Sequence, residues 1–180
     1  MKTIKILSIC LLAIFVSCKE EKPDQTINEN PDVTTFYLIR HAEKDRTYPD
    51  DADPELNQKG LGRAMHWAEI LDEVDLDAIY STDYNRTSMT AAPTSVKKNI
   101  DVQYYEPRDI DIEQFKKDNL NKKVLVVGHS NTIPDFVNQL IGEDKYPYID
   151  DSENGTLFIV QLVGSTATST KLVFNCNCPD

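Results

Sequence analysis

Three histidines, one tryptophan and six glycines are all that this chain has of those residues, and it shows no internal repeat and no low-complexity tract. Repeat architectures and fibrous classes are thereby set aside. Basic residues are also in short supply. Nineteen Lys and Arg stand against thirty Asp and Glu, and the net charge of −11 argues against non-specific binding to nucleic acid. An anion site in so acidic a chain has to be a local positive pocket. The apolar run Ile6 to Val16 is too short to cross a bilayer as a stable helix. The acidic clusters Asp50 to Asp53 and Asp150-Asp151 lack calcium-loop spacing and read as solvated loops.

What remains is ample for one ordinary domain: 180 residues, 40% hydrophobic and 27% charged, enough to bury a real core. The first residues do not belong to it. Lys2 and Lys5 ahead of the apolar run make a three-part secretory signal over residues 1–17. Ser17-Cys18 resembles a lipobox, with Phe15 where Leu is more usual. Cys18 is therefore expected to carry a lipid that tethers an exported protein, in the periplasm or at the cell surface. Residues 18–33 read as a flexible polar spacer and 34–180 as the folded domain. Cys176 and Cys178 are spaced for a disulfide or a metal pair. No His or further Cys lies near them, so they read as a surface tail without a catalytic part.

The domain opens on Phe36-Tyr37-Leu38-Ile39, an apolar run of the kind a buried strand needs, ending abruptly in Arg40-His41 and then Glu43 to Arg46, all charged. Asn57 is a helix N-cap, followed by Leu61, Met65, Ala68 and Leu71 at core spacing. A second strand over Leu76 to Tyr80 ends in Ser81-Thr82-Asp83. The next helix runs from about Tyr84 to Ala91-Ala92-Pro93, where the proline is expected to kink or restart it. Val102 to Tyr105 is a third strand, leading into Glu106-Pro107-Arg108, and a short helix carries Ile112, Phe115 and Leu120. Lys123 to Val127 is the clearest buried strand and runs into Gly128-His129-Ser130. A helix bearing Ile133, Phe136, Val137, Leu140 and Ile141 stops at Gly142. Two last strands, Leu157 to Val163 and Thr170 to Phe174, form a hairpin. Strands alternating with helices imply an α/β fold, a three-layer α/β/α sandwich on a mixed, mainly parallel sheet.

Two of the three histidines, His41 and His129, sit just past strongly predicted strands. Parallel strands end on one edge, where α/β sheets bind ligands. Arg40 adjoins the first imidazole, and Arg86 opens the helix after the second strand. Two guanidiniums and two imidazoles can surround one tetrahedral anion, and phosphoryl transfer needs just such charge neutralisation. One imidazole can attack phosphorus, while an acid must protonate the leaving oxygen. Bland alternatives exist for each: His129 as a cap of the next helix, Arg86 as a solvated partner of Asp83, Lys44 as a solvated charge. His66, beside Trp67 within a helix, is read as non-catalytic, and Tyr84 and Trp67 as core or rim.

Leu38-Ile39-Arg40-His41-Ala42-Glu43-Lys44, Arg86 and Gly128-His129-Ser130 together resemble the histidine phosphatase superfamily, the phosphoglycerate mutase-like group. Leu56-Asn57-x-x-Gly60 is similar to that family's Leu-Thr-x-x-Gly turn, and Tyr80-Ser81-Thr82 to its strand end. The resemblance covers about residues 34–174. It implies that His41 is the nucleophile, passing through a phosphohistidine, and that Arg40, Arg86 and His129 hold the phosphoryl group. Ala42 replaces the commoner Gly, and the short segment after Arg86 lacks the insertion that often covers the substrate, so an open site is expected. Glu106 is the best-placed proton donor, with Asp83 and Asp135 as alternatives. The activity implied is hydrolysis of a small phosphorylated substrate without metal or other cofactor. Open alternatives are a phosphohistidine phosphatase acting on phosphoproteins, a phosphoglycerate mutase-type transferase, and a non-catalytic phosphate-binding protein. Tyr146-Pro147-Tyr148 could line one wall of the crevice.

Overall fold

The computed structural model describes residues 32–176 and residue 178. The expected signal, the lipid-bearing Cys18 and the spacer up to residue 31 lie outside the described residues. The elements follow one another as β1 (Val33–Arg40), α1 (Gln58–Ile70), β2 (Ala78–Ser81), α2 (Asn85–Lys98), β3 (Val102–Tyr104), α3 (Ile112–Asp118), β4 (Lys123–Gly128), α4 (Thr132–Ile141), β5 (Thr156–Val163) and β6 (Thr166–Val173).

The strands form one sheet in the order β3-β2-β4-β1-β5-β6. β3, β2, β4 and β1 run parallel, while β5 pairs antiparallel with β1 and with β6. β1 and β4 are central and covered on both faces, which is why they read as nearly unbroken apolar runs. Their alternate residues feed two cores. Phe36, Leu38, Val124 and Val126 pack with Phe115 of α3 and with Ile133, Phe136, Val137 and Leu140 of α4. Ile39, Leu125 and Val127 pack on the other face with Trp67 of α1, with Leu71 at its C-cap and with Ala91 of α2. The result is the α/β/α sandwich on a mixed, mainly parallel sheet that the alternation of strands and helices implies.

Several local expectations are corrected. Asn57 does cap α1, its side chain accepting from the Gly60 N–H at 2.9 Å. The buried face, however, is Gly60, Arg63, Ala64, Trp67 and Ala68, whereas Leu61 and Met65 are 40% and 58% exposed. Close approach at Gly60 sets this rotation. A Cβ there would stand 2.1 Å from the Glu43 carbonyl oxygen, so Gly60, and not Leu61, has to face the β1 end. α2 passes through Pro93 without a break and ends at Asn99, whose φ is 54°. The Met89 carbonyl forgoes its helical N–H there, and the packing of Thr90, Ala91 and Thr94 against the sheet outweighs the loss. Leu120 is exposed beyond the end of α3. The terminal hairpin is tighter than expected: β6 starts at Thr166, after a two-residue turn in which Gly164 has φ 58°.

The chain's end returns to the body of the domain. Cys176 and Cys178 are joined by a disulfide, and Cys178 lies against α1, where a Cβ on Gly62 would approach it to 3.0 Å. Phe174 meets Trp67 edge to face at 5.7 Å.

Candidate active site

β1 and β4 pair in parallel with Arg40 opposite Gly128, so the residues that follow each, His41 and His129, emerge side by side at the carboxyl edge of the sheet. Their ring centroids are 5.5 Å apart and the planes cross at 64°. One oxyanion can touch both.

His41 is 4% exposed and held firmly. Its N–H donates to the Gly128 carbonyl at 2.8 Å, and its own carbonyl accepts from the Asn154 side-chain amide at 3.0 Å. Its Nδ1 lies 2.8 Å from the Ala42 carbonyl oxygen. A carbonyl only accepts, so Nδ1 carries the proton and Nε2 keeps its lone pair. Burial lowers the pKa of this imidazole to about 3, helped by the charges of Arg40, His129 and Arg86 and opposed by the Ala42 hydrogen bond. Near neutral pH it is an uncharged ring with one nucleophilic nitrogen. Ala42 fits because the site around it is closed. It is fully buried, and its N–H donates to Thr90 Oγ1 at 2.9 Å, which itself donates to the Arg86 carbonyl at 2.7 Å. One hydroxyl thus couples the His41 loop to the first turn of α2.

His129 is oriented by a run of hydroxyls. Its Nε2 lies 2.9 Å from Thr82 Oγ1; Thr82 donates to Thr87 Oγ1 at 3.1 Å; Thr87 donates to the carbonyls of Thr82 and Tyr84. Since each hydroxyl has a single proton, this direction makes His129 Nε2–H the donor to Thr82. The His129 N–H donates to Thr132 Oγ1 at 3.0 Å, and the Tyr84 ring stands edge-on 5.0 Å away. Burial again lowers the pKa, to about 4, with Arg86, Arg40 and Lys44 adding to the effect. The N-cap of α4 is Asn131, which makes no side-chain capping bond, and the imidazole of His129 does not cap the helix either.

Each arginine is met by a carboxylate from a distant loop. Arg86 Nη1 donates to Asp53 Oδ1 at 3.1 Å, and Asp53 also accepts from the Asn85 N–H at 2.9 Å, capping the start of α2 as it orients the guanidinium. The Arg86 guanidinium lies 4.3 Å from the centre of the Tyr84 ring. Arg40 is 1% exposed. It donates through Nη1 to the carbonyls of Asp150 and Glu153, at 2.8 and 3.2 Å, and through Nη2 to Asp151 Oδ1 at 2.5 Å. Its Nε is buried and meets no partner among the described residues. The acidic clusters expected to be solvated loops thus supply the counter-charges of the pocket. They went unnoticed because the pairs are 33 and 111 residues apart in sequence. Glu43 and Arg63 went unnoticed as a pair for the same reason: Arg63 grips both carboxylate oxygens at 2.8 to 3.0 Å and pins the loop after β1 to α1.

Two cavities flank the imidazoles. One of about 570 Å³ lies beside His41 and is lined by Glu43, Lys44, Arg46, Asn57, Asp151 and Asn154 among others. Lys44 is half-buried there and its charge reaches His129, so it is not a simple solvated residue. A second, of about 450 Å³, is lined by Arg86, His129, Tyr84, Glu106 and Arg108. Glu106 therefore shares a cavity with two members of the anticipated constellation and is exposed at its rim. Asp83 faces an adjoining trough with Tyr84, Tyr104 and Glu106, and Asp135 lines a separate groove by Phe136 and Gln139. Tyr146-Pro147-Tyr148 lines none of these cavities; Tyr146 packs on Phe158 at 4.9 Å. His66 lies on α1, 3.6 Å from Glu69. Among the described residues no group of three His, Cys, Asp or Glu is arranged to hold a metal ion.

Comparison with known proteins adds three findings. The family model described as Histidine phosphatase superfamily (branch 1) matches residues 36–107, from β1 to the turn bearing Glu106. Phosphoserine phosphatase 1 of Hydrogenobacter thermophilus is 36% identical over 80 residues, which make up 42% of this chain and 37% of that protein. The chain thus matches little more than a third of that relative's length. Among solved structures, the protein histidine phosphatase SixA complexed with tungstate gives a TM-score of 0.62 at 16% identity, covering 77% of this chain and 96% of its own. The phosphoglycerate mutase of Bacillus anthracis str. Sterne gives 0.61 at 15% identity, covering 79% and 93%. The shared fold is phosphoglycerate mutase-like.

Proposed function

We propose that this chain is a member of the histidine phosphatase superfamily and hydrolyses a phosphomonoester through a phosphohistidine on His41. The observation that carries the proposal is the pair of uncharged imidazoles 5.5 Å apart, one of them with its Nδ1 proton committed to the Ala42 carbonyl and its Nε2 lone pair available. Phosphorus is attacked by His41 Nε2 as the bond to the leaving alkoxide breaks. Positive charge then developing on the ring is stabilised by the same carbonyl through Nδ1–H. Arg40 and Arg86 neutralise the equatorial oxygens, in a pocket whose burial strengthens each contact. His129, its Nε2–H committed to Thr82, donates to a third oxygen once the charge of the bound anion lets Nδ1 take up a proton. Glu106 gives its proton to the leaving oxygen; as a carboxylate it next takes one from water, which attacks phosphorus, frees His41 and yields inorganic phosphate.

No metal enters this scheme, so activity should persist in EDTA. The test is turnover of a simple aryl phosphate by wild type beside His41→Ala, with an alkali-quenched sample searched by mass spectrometry for an acid-labile phosphoryl adduct on His41. Turnover in wild type alone, with the adduct, supports the proposal; oxyanion binding without turnover would make the protein a phosphate binder. A second reading, dephosphorylation of phosphohistidine in proteins, is favoured by the exposed rim: Glu106 is exposed, and Tyr84 and Tyr104 beside it are 41% and 58% exposed. A phosphohistidine peptide turned over faster than free phosphoesters would select it.

The mature protein is proposed to be exported and tethered by lipid on Cys18, on the strength of the Ile6 to Val16 run and the Ser17-Cys18 pair. Labelling with a clickable fatty acid, lost in Cys18→Ser, tests this.

A further inference from the structure

Arg40 is the least accessible charged group in the site, and it is not free to arrange itself around an anion. A guanidinium has five N–H bonds. Both on Nη1 are spent on the Asp150 and Glu153 carbonyls, and one on Nη2 goes to Asp151 Oδ1. Two remain, Nε–H and the second on Nη2, and Nε is the one buried nitrogen of this side chain without a partner. These two N–H groups can lie along a single edge of the guanidinium, the edge with which arginine grips two oxygens at once. A buried donor left unmade is costly, so an oxyanion that accepts from it recovers that cost on binding.

The turn that consumes the other three N–H groups has one side chain in the arrangement. Asp151 is 64% exposed, yet its two oxygens bridge Arg40 Nη2 and Arg46 Nη2, each at 2.5 Å. Both arginines hold its carboxyl well below the usual range, Arg46 first. The same turn lines the cavity beside His41, joins α4 to β5, and is followed by Asn154, which holds the His41 carbonyl.

We propose that Asp151 is a positioning residue: it draws the Arg40 guanidinium outward onto the Asp150–Glu153 turn, so that the Nε edge alone is presented to the phosphoryl group. Asp151 does not touch substrate in this arrangement; it acts through Arg40, and Arg46 steadies it from the solvent side. The inference rests on the reading of His41 and Arg40 as a phosphoryl site, and its test separates the two.

The experiment measures binding of tungstate by calorimetry and, separately, kcat and KM for an aryl phosphate, in wild type, Asp151→Ala, Asp151→Glu and Arg46→Ala. Misplacing a binding group by an ångström costs on the order of 100-fold; a guanidinium still held by two carbonyls should lose less, about 10-fold. Asp151→Ala is therefore expected to weaken tungstate and raise KM about 10-fold, with kcat changed less than about three-fold. Asp151→Glu should restore most of the loss, and Arg46→Ala should cost under about three-fold. Because Asp151 is mainly exposed, the variant's melting temperature should stay near that of wild type. Unchanged tungstate affinity in Asp151→Ala, or a kcat loss equal to the KM effect, overturns the positioning role while leaving the phosphatase proposal standing. Should wild type bind tungstate but turn nothing over, and Asp151→Ala lose that binding, the positioning role survives and the phosphatase proposal fails.

Discussion

Two imidazoles buried uncharged should make this fold sensitive to mild acid, and the size of the effect can be worked out from the site. In the unfolded chain both titrate near 6.5; in the folded protein His41 is pushed down to about 3 and His129 to about 4. The folded-state values are depressed, so below pH 6.5 the unfolded chain binds protons that the folded one refuses. Stability is present in full above 6.5 and is lost as pH falls toward the folded values. Each unit of pH below 6.5 removes about 1.4 kcal/mol per imidazole. At pH 5 that is about 2 kcal/mol each, and about 4 kcal/mol for the pair, a large share of a domain's usual 5–15 kcal/mol. The carboxylates tied to arginines, Glu43 and Asp151, are held below their ordinary values, so they contribute below this window. Urea unfolding followed by fluorescence of the buried Trp67, at pH 8 and pH 5 in phosphate-free buffer, measures the difference. Wild type should lose about 4 kcal/mol, His41→Asn or His129→Asn about 2, and the double variant little from this source. Equal losses in wild type and the double variant would refute the claim that these rings are buried uncharged.

Glu106→Gln should lower kcat about 100-fold on an alkyl phosphate, whose leaving group needs a proton, and far less on a nitrophenyl phosphate; a uniform loss would move the acid elsewhere, with Asp83 next to be replaced. Gly60→Ala should destabilise by about 3 kcal/mol in urea titration, because its Cβ would meet the Glu43 carbonyl oxygen at 2.1 Å. Arg63→Met leaves the half-buried Glu43 carboxylate without its bidentate partner and should cost about 3 kcal/mol, with kcat falling as the loop after β1 loosens. A neutral Arg63→Met would mean that Glu43 finds another cation.

Local chemistry in the sequence determined much of this protein. The run Lys123 to Val127 reads as a buried strand, because it is short, rich in valine and almost continuously apolar, and the sheet does place it between two neighbours. Asn57 and Gly142 marked a helix start and a helix stop through groups that act within a few residues of themselves. Once the strands were taken as parallel, His41 and His129 had to share an edge, since each stands one residue beyond a strand end. Tertiary structure alone decided the rest. Leu61 and Met65 fit the period of a buried helix face, yet α1 turns Gly60, Arg63 and Trp67 inward, because only a glycine allows the helix to meet the loop after β1. The carboxylates that hold Arg86 and Arg40 stand 33 and 111 residues away from them. Periodicity and capping are sums of short-range preferences, which any stretch of chain carries with it. Charge pairing and close backbone approach depend on which strands the sheet places side by side, and that is a property of the folded whole.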